Sequence, residues 1–66
     1  MAIIKEVLAE FQTSGKTHYR IEYNENGYIH IHIDSVRIDM TPNEFLEMSG
    51  EVIEGEKQLR EKKDGI

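Results

Sequence analysis

Alternation of apolar and polar residues in three runs between Thr17 and Met40 constrains the fold of this chain more than any other feature. In the segment IHIHI, three isoleucines alternate with two histidines, and the flanking segments repeat the pattern. Successive side chains of a strand point to opposite faces of a sheet, so a period of two predicts strands with one buried face. The apolar set comprises Tyr19, Ile21, Tyr23, Ile29, Ile31, Ile33, Val36, Ile38 and Met40.

Two short polar segments between these strands predict how the strands pair. Residues 24–27, NENG, have asparagine first and glycine fourth, which is typical of a type I turn closed by a glycine bulge. This turn places Tyr23 opposite Ile29. Asp34-Ser35 is interpreted as a two-residue turn that places Ile33 opposite Val36. Both registers gather the apolar residues on one face, which a slip of one residue would expose.

A long C-terminal helix is predicted to follow the last strand. Thr41 has the character of an N-cap, Pro42 suits the first helical position, and Glu44 completes a capping box. Lysines at 62 and 63 suit the negative end of the helix dipole, and Gly65 is a candidate C-cap. Apolar or small residues recur at helical spacing at Phe45, Met48, Val52, Gly55 and Leu59.

Residues 3–11 fit two structures. If these residues form a helix, their apolar side chains lie along one side of it. If they form a strand, a turn at QTSG, residues 12–15, connects that strand to the alternating segment that begins at Thr17. That turn places Val7 beside Ile21 and His18 opposite Glu10. We favour the strand. The predicted fold is therefore α+β: an antiparallel β-meander of three or four strands packed on one face by a single C-terminal α-helix, as one small domain over residues 1–66.

Composition excludes several classes of function. Thirteen acidic and eight basic residues give a net charge of −5, which disfavours binding to nucleic acid. The chain has no cysteine, so disulfides and thiolate zinc sites are excluded, and a cytoplasmic location is expected. No apolar run is long enough to span a bilayer, and the N-terminus does not have the character of a signal peptide.

The polar face of the predicted sheet carries two histidines in alternation with charged neighbours. The register places His30 between Glu22 and Asp39, and it places His32 between two arginines, Arg20 and Arg37. Opposite charges on neighbouring strands stabilise a sheet. We therefore interpret these residues as a charge-matched face exposed to solvent.

The same histidines are weak candidates for a metal site. An H-x-H segment on a strand places two imidazoles on one side of the sheet, and Glu22 and Asp39 could add carboxylate ligands. A flat, solvated cluster binds divalent ions weakly unless outer residues orient the ligands. We predict no metal, no cofactor and no catalytic residue, and no enzymatic activity.

The function predicted from sequence is a non-enzymatic interaction or accessory module that forms a homodimer or binds another protein. A 66-residue chain without cross-links buries little surface alone, and edge strands recruit other strands. The candidate interaction surface comprises Tyr28, His30, His32, Arg20 and Arg37. The alternative is a metal-binding or metal-dependent protein that uses the face of His30 and His32.

Overall fold

The computed structural model describes residues 4–64, which form four strands and one helix. The elements are β1 (Ile4–Gln12), β2 (His18–Asn24), β3 (Ile29–Ile33), β4 (Val36–Met40) and α1 (Pro42–Asp64). The strands form one antiparallel sheet in the order β1-β2-β3-β4. The predicted α+β meander with a C-terminal helix is confirmed, and residues 4–11 adopt the strand rather than the helix. Residue 3 of that segment and the candidate cap Gly65 lie outside the described residues.

The predicted pairing of β2 with β3 is confirmed, and its turn explains it. The amide of Gly27 donates to the carbonyl of Asn24 (2.9 Å), and the amide of Asn24 donates to the carbonyl of Tyr28 (3.0 Å). Gly27 has a φ of 87°, a left-handed conformation that glycine adopts at little cost. The turn sets Tyr23 opposite Ile29.

The two-residue turn between β3 and β4 is also confirmed, with Ile33 opposite Val36. Asp34 takes the left-handed conformation there, with a φ of 52°, which aspartate tolerates better than most residues. Its carboxylate accepts a hydrogen bond from the amide of His18 (2.9 Å), and its own amide donates to the carbonyl of His18 (2.8 Å). Asp34 thereby attaches the turn to the beginning of β2.

The predicted register of β1 against β2 is wrong. Ala9 rather than Val7 pairs with Ile21, and His18 pairs with Gln12 rather than Glu10. The turn occupies residues 13–16 instead of 12–15, because the amide of Lys16 donates to the carbonyl of Thr13 (2.9 Å). Lys16, with a φ of 68°, takes the left-handed position that the prediction gave to glycine.

Two irregularities in β1 change which of its side chains share a face with those of β2. The register shifts between Ile4 and Glu6 and again between Val7 and Ala9. Val7 consequently pairs with Glu22, and Leu8 lines an apolar cavity beside Tyr23. Bulges of this kind bend a strand and increase its twist.

Helix α1 begins as predicted at the capping sequence. The hydroxyl of Thr41 accepts a hydrogen bond from the amide of Glu44 (3.2 Å), and the carbonyl of Thr41 accepts from the amide of Phe45 (2.9 Å). Phe45 packs against the small core of the sheet, which includes Met40. The cap and this contact together fix the direction in which the helix leaves β4.

The core between the sheet and the helix is small. Among the described residues, the buried apolar side chains are Ile29, Ile31 and Met40. None of residues 42–64, which form α1, is buried, although the first turns of α1 lie over the apolar face of the sheet. The predicted packing of the helix on one face is thus limited to its N-terminal turns. No helix among residues 4–64 has the length and apolar character required to cross a bilayer.

Candidate functional site

The two faces of the sheet form two different candidate sites. In β2 and β3, the even-numbered residues from Arg20 to His32 line a polar pocket, and odd-numbered residues line an apolar groove that α1 partly overhangs. Both follow from the alternation of side chains along the strands. We call them the polar pocket and the apolar groove.

The polar pocket has a volume of about 480 Å³. Its walls comprise Ile4, Arg20, Glu22, Asn24, Asn26, His30, His32, Arg37 and Asp39. The prediction that this face is solvated is wrong for its central residues, because Glu22 is 2% exposed and His30 is 5% exposed. Long side chains on the neighbouring strands, such as Arg20 and Arg37, line the pocket with these two, and Ile4 of the bulged strand β1 adds to the wall.

Glu22 is the centre of the charged contacts in the polar pocket. Its Oε1 lies 3.1 Å from Nε2 of His32, and its Oε2 lies 2.8 Å from Nε of Arg20. Nε of Arg20 and Oε2 of Glu22 are both buried, and neither atom makes a hydrogen bond to residues 4–64. Their contact is therefore an ion pair whose geometry is not that of a hydrogen bond. The carboxylate is therefore held at both oxygens but retains hydrogen-bonding capacity.

The cross-strand neighbours of the histidines are those predicted, but the side chains pair differently. His32 lies between Arg20 and Arg37 along the sheet, yet its ring contacts the diagonal Glu22. Each arginine instead pairs with the acidic residue two positions further along its own strand, Glu22 or Asp39. Diagonal side chains on one face of a sheet are within reach of each other.

Three of the four weak metal candidates come together in the polar pocket. Ligand atoms of Glu22, His30 and His32 all lie within 4.8 Å of one another. Asp39 is outside this group: its carboxylate is 3.7 Å from Nε2 of His30, and Arg37 lies closer to it, at 2.9 Å. The histidine rings are 6.4 Å apart, centre to centre, close to the separation expected for H-x-H on a strand.

The buried amide of Asn24 is a feature of this pocket that the sequence did not reveal. Asn24 is 1% exposed, and its Nδ2 donor has no hydrogen-bond partner among residues 4–64. The sequence places Asn24 in a turn, where an asparagine side chain usually makes hydrogen bonds to the nearby backbone. The alternation that sets Glu22 on the polar face predicts the same face for Asn24. This alternation is the sequence feature from which Asn24 could have been predicted to lie in the pocket.

The predicted interaction surface is divided by the structure. Tyr28 and Arg37 are exposed, whereas His30 is buried and cannot contact a partner in this conformation. Arg20 and His32 are partly exposed. Association with a partner through the exposed and partly exposed residues of this surface stays a prediction.

The apolar groove lies on the opposite face, between the sheet and the first half of α1. Its walls are Tyr19, Ile21, Ile31, Ile33, Phe45, Met48, Ser49, Val52 and Ile53. Ser49 is satisfied within the helix, because its hydroxyl donates to the carbonyl of Phe45 (2.8 Å). Val52 and Ile53 are 61% and 66% exposed, so the groove is open along its helical side.

No protein-family model, curated protein or solved structure shows significant similarity to this chain.

Proposed function

We propose that this chain is a non-enzymatic protein-interaction module whose apolar groove is covered by a second copy of the chain. The observation that carries the proposal is the open groove between the sheet and α1. A monomeric domain normally buries the apolar face of its sheet under a helix, but here the helix leaves that face partly uncovered. An exposed patch of this kind marks an interaction surface.

The surface area and radius of gyration of one chain support the proposal that a second copy completes its core. Its accessible surface is 5382 Å², whereas a compact monomer of 7.7 kDa has about 4,300 Å². Its radius of gyration is 14.2 Å, compared with about 11 Å for a compact domain of 66 residues. The excess surface, on the order of 1,000 Å², is comparable to the roughly 800 Å² that each partner buries in a standard interface.

The charge distribution along α1 favours a second copy as the partner. Every charged residue from Glu44 to Glu56 is acidic. From Lys57 to Asp64, by contrast, four of the six charged residues are basic. Antiparallel pairing of two such helices about a twofold axis places the acidic half of each beside the basic half of the other. A self-complementary patch of this kind is what an isologous dimer requires.

The net charge of −5 supports a protein partner rather than nucleic acid or an anionic membrane. The cysteine-free sequence supports a cytoplasmic location.

Val52→Lys tests this function at the wall of the groove. Val52 is largely exposed in one chain, so the substitution leaves the fold of the monomer intact. Twofold symmetry places the change in the interface twice, and burial of each valine contributes about 1.5 kcal/mol, so we expect the dimer dissociation constant to rise about 100-fold or more. Dissociation is measured by sedimentation equilibrium.

Gln58→Lys is the matched control, because it adds the same charge to α1 at a residue outside the groove. We expect its dissociation constant not to rise, because residue 58 lies in the basic half of α1, which faces the acidic half of the second copy. Equal effects of the two lysine substitutions would show that net charge, rather than the groove, governs association.

A further inference from the structure

We propose that the polar pocket binds one divalent transition-metal ion of the zinc type, through Oε1 of Glu22 and one ring nitrogen each of His30 and His32. This inference does not depend on the dimer, because the ligands lie on the face of the sheet opposite the apolar groove. It replaces the expectation of a flat, solvated cluster, because two of the three ligands are buried.

The spacing of the ligand atoms suits a small ion. Zinc binds nitrogen and oxygen at about 2.1 Å, so two of its tetrahedral ligands are separated by about 3.4 Å. Oε1 of Glu22 and Nε2 of His32 are already 3.1 Å apart. With all three ligand atoms within 4.8 Å of one another, side-chain adjustments of about 1 Å bring the group to coordination distance.

The donor set determines the class of ion. Two imidazoles and one carboxylate suit zinc and similar transition metals, whereas magnesium and calcium prefer six or more oxygen ligands. Thiolates do not compete within this chain, because it has no cysteine. We therefore infer selectivity for zinc over magnesium.

Arg20 is suited to orient the carboxylate ligand. Its Nε lies 2.8 Å from Oε2 of Glu22, so the guanidinium holds one oxygen and leaves Oε1 directed toward the histidines. Outer residues that hold a ligand in place typically improve metal affinity about 10–100-fold. Arg20 is a positioning residue in this site and does not contact the ion.

A second observation points to a ligand in the same pocket. The Nδ2 donor of Asn24 is buried in its wall without a hydrogen-bond partner among residues 4–64. An unpaired buried donor is costly, and a water or small anion on a three-ligand metal ion would supply an acceptor. The volume of the pocket leaves room for that fourth ligand.

Zinc itself is the probe for the experiment, added to the full chain after treatment with a chelator. We expect saturation at one zinc per chain, with changes in the ring nitrogen signals of His30 and His32 in NMR spectra. At a free zinc concentration 100 times the dissociation constant, the melting temperature should rise by about 10–20 °C. Magnesium at the same concentration should produce neither change.

Variants distinguish the site from adventitious binding. His32→Gln and Glu22→Gln each remove one ligand while retaining a polar side chain of similar reach, and each should weaken zinc binding at least about tenfold. His18→Gln is the matched control, since His18 is exposed and pairs with Glu10 (2.9 Å) away from the pocket. Circular dichroism establishes that each variant is folded.

Three results would overturn the inference. The first is the absence of saturable binding at equimolar zinc. The second is a loss of binding in His18→Gln that matches the loss in His32→Gln. The third is saturation at half a zinc per chain, which would place one ion between two copies rather than one in each polar pocket.

Discussion

At the scale of single residues, Glu22 and Glu10 show how position in the sheet decides the energetic role of a carboxylate. Both glutamates contact a histidine, at 3.1 Å and 2.9 Å respectively. Glu22 is buried and also contacts Arg20, whereas Glu10 and its partner His18 are half-exposed. A buried group that loses its charge leaves its partners unsatisfied, while an exposed ion pair is screened by water.

We therefore expect Glu22→Gln to lower the free energy of unfolding by about 1.5–3 kcal/mol, because it removes charged contacts to Arg20 and His32. Glu10→Gln should lower it by less than about 1 kcal/mol. Urea denaturation with a chelator present, so that metal does not contribute, measures both. Equal losses in the two variants would mean that Glu22 is solvated as Glu10 is.

At the scale of secondary-structure elements, the glycines at 27 and 50 have opposite roles. Gly27 has a φ of 87° in the turn before β3, where a side chain would be strained. Gly50 lies in the interior of α1, and beyond the adjacent helix backbone a Cβ atom added there comes within 4 Å of no atom of residues 4–64. Glycine in a helix interior costs stability relative to alanine because the unfolded chain has more freedom.

Gly50→Ala should accordingly raise the free energy of unfolding by about 1 kcal/mol, and Gly27→Ala should lower it by about 1–2 kcal/mol. Thermal denaturation followed by circular dichroism compares the two. A loss of stability in Gly50→Ala would indicate that the backbone at residue 50 packs against a partner chain.

The strands differ in how much of their pairing the sequence determines. The alternation, with the turns at Gly27 and at Asp34-Ser35, predicted the registers of β2, β3 and β4 correctly. The register of β1 was predicted wrongly because TSGK and QTSG are both possible turns, and Lys16 occupies the left-handed position that usually selects glycine. Bulges within β1 leave no clear mark in composition, so the displacement of Val7 and Leu8 could not be predicted.

For the candidate site, the sequence likewise predicted which residues come together but not how deeply they are buried. Sequence identified Glu22, His30 and His32 and placed them on one face. It did not reveal the burial of Glu22 and His30, because the pocket around them includes the long side chain of Arg20 and also Ile4 of the bulged strand β1. His18 contacts Glu10 although the predicted register, which set the two residues directly opposite, is wrong, since diagonal neighbours on one face remain within reach.

At the scale of the whole molecule, one chain has too much surface for its mass. The extents of 48 × 27 × 16 Å describe an elongated unit in which α1 continues well past the core. Exposed apolar residues of α1 include Val52 and Ile53, which line the groove, and Leu59 beyond it. A second copy that covers these residues and the groove would give the pair a shared core.

Sedimentation equilibrium of the unmodified chain over a range of concentrations tests the proposed dimer most directly. The weight-average mass should rise from 7.7 kDa toward twice that value as concentration increases, and Val52→Lys should shift this rise to higher concentration. A mass that stays at 7.7 kDa up to about 1 mM would correspond to an association weaker than about 4 kcal/mol. That result would contradict the proposal that a second copy covers the apolar groove.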